Sequence, residues 1–386
     1  MKFKKQIFGF MDMLRFKKLV PNRREALASG ANTPLPKEYR TNILAHKLHP
    51  GYMTVELTEI RSLTDRMKEY TFKRLDSDAF PFFRAGEYVS LQSKVGDSLV
   101  SRPYSIASSP REALANKLVL GIENAGFFSN YLDTQAKVGD QFTMTEPSGE
   151  FHYENLRDKK NIACIAGGSG ITPFISMAKS MVEGDEDYNM TLFYGARDTQ
   201  HIAYKDELDQ LAAKGLKVVY VLSDEDAEGY EHGFISAAVM EKYVDIKDVT
   251  FFMCGPKAMY DFVLKELEPY SLPIKAIHKD ALYCGDRNVE NPKTFRLTVH
   301  MRDLVYNIDA KENETLLTSM ERAGLNAPNK CRAGGCGFCH SKLIKGDFII
   351  ADGRDGRREA DRKFGFIHPC VTYPVSDMEI DVPVAY

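Results

Sequence analysis

The sequence predicts a chain of several domains, in which an antiparallel β-barrel is followed by a doubly wound parallel sheet and then by a small cysteine-bearing domain. Three observations predict this order. Short β-rich runs separated by turn residues extend from about Val55 to Thr145, strands and helices alternate after Lys160, and four cysteines cluster near the C-terminus. A length of 386 residues is sufficient for two or three such domains.

We expect five segments along the chain. They are a basic amphipathic N-terminal extension and linker (1–50), the β-barrel (51–155), the α/β domain (156–284), a second linker (285–292) and the C-terminal domain (293–386). With 44% hydrophobic and 27% charged residues, the composition is that of a globular protein. The sequence shows no apolar run long enough for a membrane span and no secretory signal, so we expect a cytoplasmic location.

The N-terminal extension differs in charge from the rest of the chain. Residues 1–24 carry a net charge of +7, which leaves −10 for the remainder. Apolar residues recur at helical intervals in this segment, at Phe3, Ile7, Phe10, Met11 and Leu14. Such a helix could contact an anionic membrane surface peripherally, dock on an acidic partner, or pack on its own protein. We expect Pro21 to end the helix, and residues 25–50 to form a linker.

Four C-terminal cysteines form the sharpest motif. Cys331, Cys336 and Cys339 follow a Cys-x4-Cys-x2-Cys spacing, and Cys370 lies further along the chain. This is the plant-type pattern for binding a [2Fe–2S] cluster. A tetrahedral zinc site and ordinary buried cysteines are the alternatives, but zinc sites usually pair their cysteines differently. The remaining cysteines, Cys164, Cys254 and Cys284, are odd in number, which favours a reducing compartment.

Two segments of the predicted barrel carry candidate binding residues. In the first, Arg102, Pro103, Tyr104 and Ser105 stand at the end of a strand pattern, where an arginine, an aromatic ring and a hydroxyl could bind a phosphate and a flat ring. In the second, a glycine turn leads into a helix and could bind a pyrophosphate on its amides. Its candidate residues are Gly126, Phe128 and Ser129. Taken alone, the first segment would be interpreted as a surface strand end, and only the other motifs favour a binding role for it.

The α/β domain carries two further candidates. A glycine loop between a strand and a helix could bind a phosphate, although it lacks the Gly-x-Gly-x-x-Gly fingerprint and such turns also occur for structural reasons. Its residues are Gly167, Gly168, Gly170, Thr172 and Pro173. Cys254, Gly255 and Pro256 end a later strand, where ligands bind in open α/β sheets. A buried core thiol is the alternative for Cys254.

With these motifs in this order, residues from about 52 to 386 resemble the ferredoxin–NADP reductase superfamily with a C-terminal plant-type ferredoxin domain, as in reductase components of multicomponent oxygenases. The resemblance implies a β-grasp fold for the last domain and FAD in the barrel. It implies that Arg102 meets a flavin phosphate, that Tyr104 stacks on the isoalloxazine and that Ser105 approaches its N5. It also implies a pyridine nucleotide at the 167–173 loop, with Cys254 beside the nicotinamide and Ser105 and Cys254 as catalytic residues.

The residues after one predicted strand favour a particular nucleotide. NADPH-dependent members of the superfamily often place a serine and an arginine where this chain has Ser223 and Asp224. Because carboxylates repel a 2′-phosphate and accept hydrogen bonds from a ribose hydroxyl, we expect NADH, although Arg197 lies near in the pattern. The segment 277–283 resembles the final strand of the family, which often has glutamate where Asp280 stands.

These inferences predict an oxidoreductase that passes electrons from NADH through FAD to the [2Fe–2S] cluster and on to a protein acceptor. The expected acceptor is an oxygenase, a desaturase or another metalloprotein, and no nucleic-acid partner is expected. A second hypothesis is a membrane-associated dehydrogenase subunit that feeds quinone or a respiratory complex through residues 1–24. A third is a non-catalytic redox sensor with the same fold.

Overall fold

A computed structural model describes residues 9–29, 39–281 and 284–383 of the chain. The chain divides into two compact units, Met1–His46 and Lys47–Tyr386. Among the described residues, no helix is both long and apolar enough to cross a membrane.

The N-terminal segment contains two helices, α1 (Gly9–Ala28) and α2 (Arg40–Leu48). The prediction that Pro21 ends the first helix was wrong, because α1 continues through it. Proline removes one intrahelical hydrogen bond, but good helix formers, among them Arg23 and Ala26, follow it. The predicted 25–50 linker also contains α2 and the end of α1. Of the predicted apolar stripe, Phe3 and Ile7 lie outside the described residues, and Leu14 is exposed.

Residues 52–145 form a six-stranded antiparallel sheet with the strand order β4-β3-β6-β1-β2-β5. Its elements are β1 (Tyr52–Ser62), β2 (Met67–Arg74), β3 (Tyr88–Val95), β4 (Ser98–Ser105), α3 (Pro110–Leu114), β5 (Leu118–Glu123), α4 (Phe127–Thr134) and β6 (Gln141–Thr145). A bridge between Ile106 and Leu120 joins the two edges, so the sheet curves into a barrel. Pro103 is accommodated because β4 is an edge strand.

A parallel six-stranded sheet follows, with the order β10-β9-β8-β7-β11-β12. Its elements are β7 (Asn161–Gly167), α5 (Thr172–Glu183), β8 (Asn189–Ala196), α6 (Lys205–Ala212), β9 (Lys217–Leu222), β10 (Glu231–His232), α7 (Ala237–Met240), β11 (Thr250–Cys254), α8 (Lys257–Leu267) and β12 (Ile277–Lys279). The strand order reverses between β7 and β11, and ligands of open α/β sheets bind at such a switch point.

The last domain contains a five-stranded mixed sheet, β14-β13-β19-β15-β17, and a separate β16-β18 pair. Its elements are β13 (Thr294–Met301), β14 (Leu304–Lys311), α9 (Leu316–Arg322), β15 (Ser341–Lys345), β16 (Phe348–Ile350), α10 (Glu359–Lys363), β17 (Phe366–Ile367), β18 (Thr372–Pro374) and β19 (Met378–Asp381). The first and last strands, β13 and β19, pair in parallel. Together the three sheets confirm the predicted fold class.

The last domain packs against the barrel through α9, which contacts β4. A Cβ added to Gly324, just after α9, would lie 2.9 Å from the carbonyl oxygen of Asp97 in the β3–β4 turn. The predicted 285–292 linker is attached to the same domain, since the Tyr373 hydroxyl donates to the Gly285 carbonyl at 2.6 Å.

Candidate functional site

One cavity of about 1410 Å³ lies where the barrel, the parallel sheet and the last domain meet. It is larger than the usual ligand pocket and has room for two nucleotide-sized ligands. Its lining includes most of the predicted site residues: Arg102, Pro103, Tyr104, Ser105, Gly126, Phe128, Ser129, Gly167, Gly168, Gly170, Thr172, Cys254, Gly255 and Pro256. The last domain contributes Thr318, Glu321 and Arg322, and the segment that precedes it contributes Gly285 and Asp286. Residues separated by more than 200 positions therefore share one site.

The two predicted catalytic residues meet at the carboxyl group of Asp280. The Ser105 hydroxyl at the end of β4 donates to Asp280 Oδ2 at 3.4 Å, and the Cys254 thiol at the end of β11 donates to the same oxygen at 3.3 Å. Burial raises the pKa of Asp280, and it also raises the pKa of the Cys254 thiol. The aspartate side chain, although shorter than glutamate, therefore reaches both groups and holds a serine and a thiol side by side at the cavity wall.

Arg102 and Tyr104 lie on the cavity wall next to Ser105. The Arg102 guanidinium donates through Nη1 to the Ser101 carbonyl at 2.7 Å and to Glu321 Oε2, on α9, at 2.9 Å. An arginine held this way presents a fixed positive charge to the cavity, which suits a flavin phosphate. The ion pair with the last domain was not predicted from the sequence.

The 126–129 turn supplies a helix N-terminus to the cavity. Gly126 precedes α4, whose first-turn amides have no intrahelical partner and can bind a pyrophosphate. The Ser129 hydroxyl is engaged within the turn, because its oxygen accepts hydrogen bonds from the amides of Ala125 at 3.0 Å and Gly126 at 2.9 Å. Ser129 therefore shapes the turn from within, and the anion-binding capacity belongs to the backbone.

The glycine loop after β7 fits closely against the end of β11. A Cβ added to Gly170 would lie 2.1 Å from the carbonyl oxygen of Cys254, so no larger residue can stand there without moving the backbone. The loop leads into α5 through Thr172, whose hydroxyl donates to the Ser169 carbonyl at 3.1 Å. The cradle formed by these two strand ends suits a pyridine nucleotide. Pro173 is buried behind it at the start of α5 and does not line the cavity.

Asp224, the predicted nucleotide-selecting residue, lies just outside the cavity. It is exposed after β9, and the hydroxyl of its cavity-lining neighbour Ser223 donates to its Oδ1 at 2.6 Å. Arg197 also lines the cavity near this strand end, and its carbonyl accepts from the Asp224 amide at 2.8 Å. The carboxylate is therefore placed at the mouth of the cavity, where it could distinguish a nucleotide with a free ribose hydroxyl from one with a 2′-phosphate.

The four C-terminal thiols meet as two pairs. Cys339 Sγ lies 3.4 Å from Cys370 Sγ, and the Cys336 thiol hydrogen-bonds to Cys331. That bond lowers the pKa of Cys331 and raises the pKa of Cys336. Among residues 9–29, 39–281 and 284–383, no three His, Cys, Asp or Glu side chains converge on one point as they would around a single metal ion. Two cysteines for each iron is the ligand set of a [2Fe–2S] cluster.

The loop between these cysteines is shaped for the cluster by its backbone. Gly334 has a φ of +81°, and an added Cβ would lie 2.4 Å from the Arg354 carbonyl oxygen. The Ala333 amide donates to Cys331 Sγ at 3.4 Å, as expected of a loop that directs amides at thiolate sulfurs. Cys336 is exposed, whereas Cys339 and Cys370 are buried, so one side of the site faces solvent.

Sequence reasoning missed several cavity residues. Glu321 is the most consequential, but a single glutamate on an amphipathic helix carries no signal of a partner far away in the sequence. Ser169 was also missed; its hydroxyl donates to Glu123 Oε2 at 2.8 Å across the cavity wall. Phe234 lines the same wall and is largely exposed. Exposed aromatic residues cannot be distinguished from buried ones by local pattern alone.

Three family models match the chain in succession. They are the oxidoreductase FAD-binding domain over residues 54–153, the oxidoreductase NAD-binding domain over 164–265 and the 2Fe-2S iron-sulfur cluster binding domain over 301–375. These ranges contain the arginine–tyrosine–serine strand, the glycine loop and the four cysteines, respectively. The match therefore supports FAD, a pyridine nucleotide and a [2Fe–2S] cluster as the groups that this chain binds.

Similar proteins match this chain over most of its length and most of their own. The carnitine monooxygenase reductase subunit of Escherichia coli (strain K12) is 27% identical over 304 residues, covering 78% of this chain and 88% of its own. The ferredoxin reductase component of 3-ketosteroid-9-alpha-monooxygenase from Mycobacterium tuberculosis (strain ATCC 25618 / H37Rv) is 27% identical over 350 residues, covering 84% and 94%. The structure of phthalate dioxygenase reductase superposes with a TM-score of 0.65 at 22% identity, over 87% of this chain and 98% of that chain.

Fold and site thus define a class, the iron–sulfur flavoprotein oxidoreductases that use a pyridine nucleotide. Within that class, the chain belongs to the ferredoxin–NADP reductase superfamily, in the group that carries a C-terminal plant-type ferredoxin domain. We refer below to residues 52–145 as the flavin domain, 161–279 as the nucleotide domain and 294–381 as the ferredoxin domain.

Proposed function

We propose that this chain is the NADH-dependent reductase component of an oxygenase system. The observation that carries the proposal is the shared cavity, whose wall combines the flavin domain, the nucleotide domain and α9 of the ferredoxin domain. The chemistry supplied there by bound FAD and the [2Fe–2S] cluster is the conversion of a two-electron hydride donor into single electrons. Both curated relatives named above are reductase components of monooxygenases, which supports the choice of acceptor.

The residues of the chain hold and orient the reactants. Arg102 fixes a phosphate, Tyr104 covers a flat ring, and the Ser105 hydroxyl is aimed by Asp280. Cys254 is held by the same carboxylate, so the thiol and the hydroxyl that would border the nicotinamide have linked positions. Because burial raises the pKa of Asp280, this carboxyl can hold a proton above its ordinary range at a place that both side chains share.

NADH is the proposed donor because of the charge at the mouth of the nucleotide site. Asp224 would repel a 2′-phosphate, and its neighbour Glu225 is engaged by Thr199, whose amide donates to Glu225 Oε2 at 2.7 Å. The ratio of kcat/KM for NADH to that for NADPH tests this choice. A ratio well above one supports it, and a ratio below one contradicts it.

The proposed acceptor docks beside the exposed side of the cysteine loop. Cys336 is exposed, and Phe338, two residues further, is 42% exposed. The segment 354–363 packs against this loop and carries five basic and three acidic residues, with Arg358 and Lys363 exposed. A surface of this sign suits an acceptor with an acidic face around its own metal centre.

Partner capture and reconstitution test the proposal together. The purified protein, immobilised with its cofactors, should retain an oxygenase from native extract, and the captured oxygenase should turn over its substrate with NADH only when this chain is present. Replacing Arg358 and Lys363 with glutamate should weaken capture and remove part of its salt dependence. The same change at Lys159, just before the nucleotide domain, and at Lys247, within it, should not. Capture of a quinone-dependent complex instead of an oxygenase would contradict the proposal.

A contact between the N-terminal segment and a membrane surface is a separate proposal. On α1, the residues Lys17, Lys18, Arg23 and Arg24 are exposed, as is Leu19 with 57% of its surface. Basic and apolar side chains exposed together favour an anionic lipid surface. Flotation with anionic vesicles, with and without residues 1–24, tests this contact. If the full-length chain does not float with vesicles, the proposal fails.

A further inference from the structure

Glu321 is a buried acid that makes contacts on both sides of a domain boundary. It lies on α9 of the ferredoxin domain, and its side chain is 5% exposed. Its Oε2 accepts from Arg102 Nη1 of the flavin domain at 2.9 Å, and its Oε1 accepts from Arg332 Nη1 at 2.6 Å. Two guanidinium groups therefore share one buried carboxylate, as an ion triad of Arg102, Glu321 and Arg332.

Each arginine of this triad belongs to a different cofactor site. Arg102 lines the cavity beside Tyr104 and Ser105. Arg332 directly follows Cys331, is almost fully buried, and also donates to Thr318 Oγ1 at 3.3 Å. The carboxylate of Glu321 thus contacts both the guanidinium that lines the flavin phosphate site and the guanidinium that follows Cys331.

The carboxylate of Glu321 also accepts a hydrogen bond from the outer edge of β4, the strand that carries Arg102. Because β4 is an edge strand, amides on its outer side need partners from elsewhere. The Ser101 amide donates to Glu321 Oε1 at 3.0 Å. Loss of Glu321 would leave this amide and two guanidinium groups without their shared acceptor at a buried site. Because unpaired buried polar groups are unfavourable, we expect the two domains to separate there and expose these groups to water.

Two other contacts across the boundary do not involve Arg102 or any other residue assigned to the flavin site. The Ser90 hydroxyl donates to the Lys330 carbonyl at 3.1 Å, and Lys330 Nζ lies 3.4 Å from Glu146 Oε1. These contacts add buried area and electrostatic attraction between the two domains, but they do not connect the flavin phosphate site directly to the ferredoxin domain. The triad is different because two of its members, Arg102 and Glu321, line the cavity.

We propose that Glu321 is a positioning residue that makes the docking of the ferredoxin domain depend on flavin occupancy. A phosphate bound by Arg102 fixes the guanidinium, the fixed guanidinium holds Glu321, and Glu321 holds Arg332 and with it the cysteine loop. By linkage, a docked ferredoxin domain also strengthens flavin binding. The inference rests on the proposed function in one respect, the assignment of Arg102 to the flavin phosphate.

Hydrogen exchange tests the coupling without any turnover. Wild-type protein is compared with and without flavin, the cluster being retained in both, and exchange is followed in peptides covering 98–105 and 316–334. Removal of flavin should speed exchange in both peptides by about tenfold, the effect expected from losing one hydrogen bond to a charged group. Because this comparison needs no variant, it decides the question even if a substitution prevents folding. Unchanged exchange in 316–334 overturns the proposal.

Variants then locate the effect. In Glu321→Gln, both peptides should exchange rapidly whether or not flavin is present. Glu146→Gln, which loses the other boundary ion pair, and Glu314→Gln, a buried acid that pairs with Arg322 inside the ferredoxin domain, should retain the flavin response. A flavin response that survives in Glu321→Gln, or that is lost in both controls, overturns the proposal.

The cluster itself provides an independent readout. After chemical reduction with dithionite, the electron paramagnetic resonance spectrum of the wild-type cluster should differ between flavin-loaded and flavin-depleted protein, and this difference should be absent in Glu321→Gln. Identical wild-type spectra contradict the coupling. NADH-dependent ferricyanide reduction is measured in parallel, because its absence in loaded wild-type protein would refute the proposed function while leaving the exchange result to judge Glu321.

Discussion

Replacing Asp280 with alanine should slow the reduction of bound flavin by NADH. The change removes the acceptor shared by the Ser105 hydroxyl at 3.4 Å and the Cys254 thiol at 3.3 Å. Because both hydrogen bonds are long, we assign each about 1 kcal/mol, which is below the usual range for hydrogen bonds to charged groups. A loss of about 2 kcal/mol of positioning corresponds to a rate reduced by ~30-fold. Flavin content should not change, because Arg102 and Tyr104 are untouched.

Anaerobic stopped-flow spectroscopy measures this effect as the decay of flavin absorbance after mixing with NADH. Since burial raises the pKa of Asp280, the wild-type rate should also change with pH above the usual aspartate range, and Asp280→Ala should lose this dependence. Asp261→Ala is the matched control, an exposed acid on α8 that pairs with Lys257. A rate within about twofold of wild type at every pH would refute the role given to Asp280.

Three further predictions follow from the described contacts. Cys370→Ser should abolish the absorbance of the cluster but retain NADH-dependent ferricyanide reduction, whereas Cys164→Ala, in β7, should retain both; a cluster that survives in Cys370→Ser would contradict the ligand set. Gly170→Ala should raise the Kd for NADH by about tenfold or more, because its Cβ would lie 2.1 Å from the Cys254 carbonyl oxygen, and calorimetric titration would show an unchanged Kd if that closeness were unimportant. Burial raises the pKa of Glu87 to about 7, so the stability it contributes is fully present below about pH 4.5 and is lost as the pH rises through 7. Glu87→Gln should therefore be more stable than wild type at pH 8 by about 3 kcal/mol in urea unfolding, and equal stability would contradict the raised pKa.

The sequence was most informative where the signal is local. Turn residues between short β-rich runs, the alternation of strands and helices, and three cysteines within nine residues each lie within a short window. The predicted sheets and their order were confirmed for this reason. The helix that continues through Pro21 shows the limit of a local rule, because strong helix formers on both sides outweigh one missing amide.

Long-range contacts could not be predicted in the same way. The sequence showed an aspartate at position 280 where the family often has glutamate, but only the folded chain shows that its carboxyl reaches both Ser105 and Cys254. Glu321 and Arg102 are 219 positions apart, and nothing in either local pattern indicates an ion pair. The residues that connect domains are thus the part of the site that depends on tertiary structure.

The most direct measurement is an anaerobic titration of the purified protein with NADH, recorded across the absorbance bands of both the flavin and the cluster. Since all three domains line one cavity, we predict that both sets of bands bleach, with about one electron per molecule appearing in the cluster. Bleaching of the flavin bands while those of the cluster persist would contradict electron transfer from the nucleotide site to the four cysteines.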